Sequence, residues 1–168
     1  MADVSSRRLP LVNRQDVIHS TRSAIAACVS LEVARLCKMP EAYWASVTTI
    51  VVMQSSLGAA LTVSGQRFAG TALGAATGAL LAHYFPASLF VFTVGIFVLG
   101  LICAAVRLDK AAYRFAGITL AIVMLVERTQ PAHIIAAHRF VEVSIGIAIG
   151  LVLTAVWPEP EATGSYNR

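Results

Sequence analysis

Charge is in short supply in this chain. Only 13% of its 168 residues are Asp, Glu, Lys or Arg, against about 25% in an average soluble domain. A water-facing surface cannot be covered with so few charges, and disorder is excluded for the same reason. A nucleic-acid-binding domain is excluded too, despite the net charge of +4. Cysteine is scarce as well. Cys28, Cys37 and Cys103 lie in or beside apolar segments without metal-ligand spacing, which reads as buried free thiols and no metal site. No uninterrupted apolar stretch precedes about residue 23, so a cleaved signal peptide is not expected. His19 and Arg22 likewise interrupt what a lipoprotein signal before Ile25-Ala26-Ala27-Cys28 would need. The chain also lacks a zinc-protease histidine pair, a nucleophile elbow, a phosphate loop and clustered carboxylates on one helix. No enzyme and no cofactor are therefore expected.

What is abundant is apolar: 57% of residues are hydrophobic and the mean hydropathy is +0.73. Those values point to an integral membrane protein. A spanning helix needs about 20 apolar residues, so six spans account for roughly 110–120 residues and leave only loops and tails. The reading is an all-α membrane protein with a cytoplasmic arm at 1–16, a six-helix membrane domain at 17–157 and a short cytoplasmic tail at 158–168. The first helix covers about 17–38 and stops before Pro40. The second starts near Ala42, with Tyr43-Trp44 suited to the headgroup level, and fades at Gln54-Ser55-Ser56-Leu57-Gly58. The others cover about 66–84, 87–106, 111–127 and 134–157. With both termini inside, nine basic residues lie on the cytoplasmic side: Arg7, Arg8, Arg14, Arg22, Arg67, Arg107, Lys110, Arg114 and Arg168. Four, Arg35, Lys38, Arg128 and Arg139, lie outside, which supports that orientation.

The sequence also resembles itself. A shift of 72 places Arg67-Phe68 on Arg139-Phe140, Gly74 on Gly146, Ala76 on Ala148, Gly78 on Gly150 and Leu81 on Leu153. The same shift puts Arg35-Leu36 on Arg107-Leu108 and Lys38 on Lys110. With a two-residue gap, Tyr43 meets Tyr113 and Thr49 meets Thr119. Each unit (about 17–85 and 87–157) holds three helices, so the second enters the membrane from the opposite side. Two inverted three-helix repeats are a recurrent transporter architecture, with the substrate path at the repeat interface.

Gly70, Gly74 and Gly78 in the third helix, and Gly146 and Gly150 in the sixth, let backbones approach closely in lipid. Arg67 and Arg139 share the helical stripes of these glycines and so point inward. Intramembrane charge marks a pathway or a paired partner, and guanidinium groups match carboxylates. That makes Arg67 and Arg139 the leading candidates for anion contact, with Tyr43, Gln54 and Arg114 as further pathway candidates. Arg67, Arg107 and Arg114 are expected near the inner mouth, Arg35 and Arg139 near the outer one, with snorkelling at the headgroups as the plainer account. Glu32 with Arg35, and Arg139 with Glu142, are spaced to pair on one helix face. Either glutamate, once desolvated, is a candidate proton carrier. Ser46, Thr48, Thr49 and Gln54 are placed to hydrogen-bond a solute or a neighbouring helix.

The stretches Pro40-Glu41-Ala42-Tyr43-Trp44-Ala45, Val52-Met53-Gln54-Ser55-Ser56-Leu57-Gly58-Ala59 and Gln66-Arg67-Phe68-Ala69-Gly70-Thr71-Ala72-Leu73-Gly74-Ala75 resemble the fusaric acid resistance and aromatic acid exporter family of bacterial inner-membrane proteins. The resemblance covers roughly 20–157. It implies a six-helix membrane domain that exports organic, often aromatic, carboxylates, driven by the proton gradient. It carries over most directly to Tyr43, Trp44, Gln54, Ser56, Gly58, Arg67, Gly70 and Thr71. Typical full-length members look like two such membrane domains with a cytoplasmic domain, so a homodimer in the bilayer is expected here. Plant anion channels are distantly similar, which keeps a passive channel as an alternative. A non-transporting scaffold or partner subunit is the alternative of another class.

Overall fold

A computed structural model describes residues 14–126 and 130–158. Most of the arm, Arg128 and the tail from 159 on lie outside the described residues, and with them Arg7, Arg8 and Arg168. The described residues form six helices and no strand: α1 (Arg14–Leu36), α2 (Tyr43–Val52), α3 (Leu57–Tyr84), α4 (Leu89–Ala105), α5 (Lys110–Leu125) and α6 (Ala132–Val156).

Local chemistry sets the boundaries. Ser56 and Ser88 are extended N-caps whose side chains accept from the backbone N–H of Ala59 and Val91, at 3.3 and 3.2 Å. The α1 terminus closes with Lys38 N–H donating to Arg35 and Met39 N–H to Ala34; α4 closes identically through Arg107 to Ala104 and Leu108 to Cys103. Lys38 and Arg107 therefore hold the left-handed position at matching corners, with φ of 57° and 55°. A uniform shift of 72 pairs Lys38 with Lys110 and Arg35 with Arg107. Structurally, it is Lys38 and Arg107 that take the same place.

The third helix begins at Leu57, not near residue 66. Gly58, Ser64 and Gly65 break the apolar run and read as a connection, yet the Ser56 cap and tertiary packing carry the helix through them. At 28 residues α3 is about 42 Å long, whereas the 10 residues of α2 reach only about 15 Å. Six full-length apolar spans are therefore not what the helices provide. Among the described residues α6 alone is long and apolar enough, by length and composition, to cross a membrane; α2 and α4 are apolar but shorter. Cys28 and Cys37 are exposed rather than buried, because they fall on the outer side of α1 and just past its end; Cys103 is buried.

Packing follows the small residues. The most extensive contacts join α3 to α5, α3 to α6, α2 to α6 and α1 to α2. Gly70 and Gly74 lie against the backbone of Ala112 and Ala116, and Gly78 against Val123, so α3 and α5 run side by side in the same direction. Gly146 lies against Ala45 and Thr48, and Gly150 against Val52, so α6 and α2 do likewise. Neither Gly74 nor Gly146 has room for a Cβ, which would overlap the carbonyl oxygen of Ala116 or of Ala45. Ala75 and Ala79 of α3 pack with Ile135, Ala136 and Ala132 of α6, and the rings of Phe68 and Phe140 meet at 4.9 Å. Rising numbers in one helix face falling numbers in the other, so α3 and α6 are antiparallel. The outside of α4 is apolar apart from Thr93, with Leu89, Phe90, Phe97 and Leu101 exposed.

Candidate functional site

Two buried arginines mark the interior. Arg67 is 6% exposed and Arg139 2%. Both lie inside their helices, and each is level with a corner of the fold: Arg139 pairs with Glu41 in the turn before α2, and Gln66, next to Arg67, meets Asp109 just before α5. The earlier start of α3 moves Arg67 about 15 Å from its N-terminus, and α6 places Arg139 about 10 Å in. Arg22 is buried inside α1 as well.

Arg139 is clamped. It forms an ion pair with Glu41, which sits in the turn before α2, and its Nη1 is 3.3 Å from Oε2 of Glu142 one turn along α6. Glu142 also accepts the backbone N–H of Glu41 at 3.0 Å. The indole of Trp44 covers the guanidinium at 4.3 Å.

Arg67 is held more loosely. Its Nη2 donates to Thr48 Oγ1 at 3.1 Å, and the ring of Phe115 covers the guanidinium at 4.7 Å. Among the described residues it meets no carboxylate, and its Nε has no hydrogen-bond partner. Ser64, three residues earlier on the same face, has a buried hydroxyl that is also without a partner there. A buried cation costs several kcal/mol in desolvation unless it is compensated, and buried polar atoms left without partners are rare in folded proteins. Arg67 and Ser64 together offer donors to an anion.

The two surroundings correspond position by position. Arg67 and Arg139 are 72 apart, and their aromatic covers, Trp44 and Phe115, are 71 apart. The same offsets set Glu142 against Gly70 and Glu41 against Ala112. Where α6 and the turn before α2 hold two carboxylates, α3 and α5 bring Gly70 and Ala112 into backbone contact. No carboxylate fits between them.

The other sequence candidates divide. Thr49 Oγ1 donates to the Gly146 carbonyl at 3.0 Å and Ser46 Oγ to the Ala27 carbonyl at 2.9 Å, so both join helices. Gln54 Nε2 donates to the Val51 carbonyl in the α2–α3 break. Tyr43 is half-exposed and leans on Trp44. Arg114 is exposed on α5, away from the buried Arg67, because it falls opposite the face formed by Ala112, Ala116 and Thr119. Glu32 is on the surface, bonded to Arg35 at 2.8 Å with both side chains more than 60% exposed, so it is not the desolvated carboxylate the sequence suggests. Glu142 is buried. Sequence reasoning missed Glu41 and Phe115 and assigned Trp44 to the headgroup level; all three close on a buried arginine. The signal for Glu41 and Trp44 was their adjacency in the Pro40–Ala45 stretch, while Phe115 carried none.

Known proteins place this architecture. The chain is 30% identical over 149 residues to the inner membrane protein YeeA of Escherichia coli K12, a match covering 85% of this chain and 41% of that protein. It is 32% identical over 149 residues to the uncharacterized transporter YdhK of the same strain, and 31% identical over 150 residues to YdhK of Salmonella typhimurium. Each of these matches covers 83% of this chain and 22% of the relative. The chain thus spans less than half the length of these relatives. No solved structure matches it at a significant level. The family match begins inside α1 and ends inside α6, enclosing both arginine clusters: over residues 26–153 the chain belongs to the fusaric acid resistance protein-like family.

Proposed function

We propose that this protein is a multi-pass transporter of the bacterial inner membrane that exports organic anions, aromatic carboxylates among them, with Arg67 as the anion contact. The observation that carries this is a 94% buried guanidinium that meets a hydroxyl and an aromatic face but, among the described residues, no carboxylate. A carboxylate arriving there supplies the missing charge and accepts from Nε and from the Ser64 hydroxyl. The Phe115 ring beside it gives an aromatic substrate a surface to pack on. Family membership, and relatives named as an inner membrane protein and as transporters, support the membrane and transport parts.

Two inverted three-helix units are part of this reading. It is supported by the way α3 meets α5 as α6 meets α2, and by the antiparallel α3–α6 contact between them. Helices too short to span alone are accommodated when they line a packed interior rather than lipid. Arg139 then holds the fold, and Glu142, buried beside it, is the one of the two glutamates that we keep as the candidate for proton coupling. A homodimer is supported by the exposed side of α3, where Gly58 and Gly65 leave open space beside the exposed ring of Phe68.

Flux in proteoliposomes tests the proposal. Benzoate or salicylate leaving loaded vesicles under an imposed proton gradient supports export. Replacing Arg67 with Gln should abolish that flux while the protein stays folded. Gradient-independent flux of small anions such as chloride points to a channel instead, and absence of any anion flux removes the reading.

A further inference from the structure

The two corners of the fold differ in charge. At the α1–α2 corner, Arg35 is bonded to Glu32 and Glu41 lies against Arg139, which leaves Lys38 as the one cation there that meets no carboxylate among the described residues. At the α4–α5 corner, Arg107, Lys110 and Arg114 are all exposed within eight residues, and among the described residues none of them meets a carboxylate. The single acid there, Asp109, is engaged by Gln66 Nε2 at 2.7 Å.

That basic corner closes one end of an apolar groove. Between α4 and α5 lies a cavity of about 340 Å³, lined by Phe97, Gly100, Leu101, Leu108 and Tyr113, with Lys110 at its end. Gly100 makes the room: the nearest atom a Cβ there would meet is in the Tyr113 ring, at 3.4 Å. Phe97 and Leu101, one turn apart, are 65% and 56% exposed and form the outer rim. An apolar channel along a helix pair, ending in uncompensated cations, has the chemistry of an acyl chain joined to an anionic headgroup. Basic pockets between helices on the cytoplasmic side are suited to such headgroups.

We propose that the α4–α5 groove binds an anionic phospholipid, its acyl chain along Phe97, Gly100 and Leu101 and its phosphate met by Lys110, Arg107 and Arg114. The site rests on the membrane-spanning reading above but not on transport. Charge selects the phosphate and the groove selects the chain. The opposite corner, with one such cation against three, has a weaker preference.

The full chain in detergent, titrated with phosphatidylglycerol or phosphatidylcholine of matched acyl chains and read by native mass spectrometry, tests this. The parent should retain phosphatidylglycerol at least tenfold better. The double variant Lys110→Gln/Arg114→Gln should lose that preference, and Gly100→Leu, which fills the groove without touching a charge, should lose retention itself. Arg35→Gln should leave binding as in the parent, with helicity by circular dichroism checking that every variant is folded. Equal retention of the two lipids by the parent overturns the proposal. So does unchanged phosphatidylglycerol retention in folded Lys110→Gln/Arg114→Gln and Gly100→Leu, or an equal loss in Arg35→Gln. A parent that carries no anion flux yet retains phosphatidylglycerol selectively refutes the transport reading while supporting this site.

Discussion

The surroundings of Arg139 and Arg67 are built from matching positions and reach opposite electrostatic results. Around Arg139, Glu41 and Glu142 share the guanidinium beneath Trp44. Around Arg67, the matching positions are Ala112 and Gly70, and the helices close until their backbones touch. The carboxylates neutralise one cation; the close approach leaves the other with a threonine hydroxyl and an aromatic face. Burial alone therefore does not fix the electrostatic state of an arginine. What distinguishes these two is which group answers the charge.

The sharpest way to break that comparison is at Arg139. Arg139→Gln leaves two carboxylates at a buried cluster without their cation, a loss of about 3–5 kcal/mol. We expect a large fall in the thermal midpoint in detergent, partly restored when Glu41→Gln and Glu142→Gln are added. An Arg139→Gln protein as stable as the parent would show that the clamp does not hold the fold.

Next in size are the glycine contacts. Gly74→Leu and Gly146→Leu both force α3 from α5, or α6 from α2, where no space for a Cβ exists. Each should destabilise by about 1–3 kcal/mol or more, and by similar amounts if the two interfaces are equivalent. Gly65→Leu, where a Cβ meets nothing, should be tolerated in the isolated chain. A strong monomer defect there would contradict the open space on α3.

The corners offer a smaller, paired effect. Lys38 and Arg107 each hold a left-handed conformation that costs a non-glycine residue about 1 kcal/mol. Lys38→Gly and Arg107→Gly should each raise stability by about that amount. A gain at one and a loss at the other would mean the corners are not equivalent. Smallest of all is Glu32→Gln, which removes an exposed pair and should shift stability by no more than about 0.5 kcal/mol.

Much of this architecture is legible in the sequence because apolar runs and glycine spacing are local signals. The six helices, the inward direction of Arg67 and Arg139, and the pairing of Arg139 with Glu142 follow from periodicity. The start of α3 does not, because Gly58, Ser64 and Gly65 read as a break until tertiary packing outweighs their propensity. The covering of Arg67 by Phe115, 48 residues away, is not legible either, since nothing local joins α3 to α5 at that level. Glu32 and Glu142 look alike as partners of an arginine three residues away. One lies at the surface and the other inside, a difference set by what packs on the helix rather than by the spacing.

Benzoate efflux from proteoliposomes holding Arg67→Gln, measured beside its thermal midpoint, tests the central claim most directly. Removing an unanswered buried cation should abolish flux and leave the midpoint equal to or above that of the parent. Parental flux from the Gln variant, or flux lost only together with a collapse in stability, would contradict the assignment of Arg67 as the anion contact.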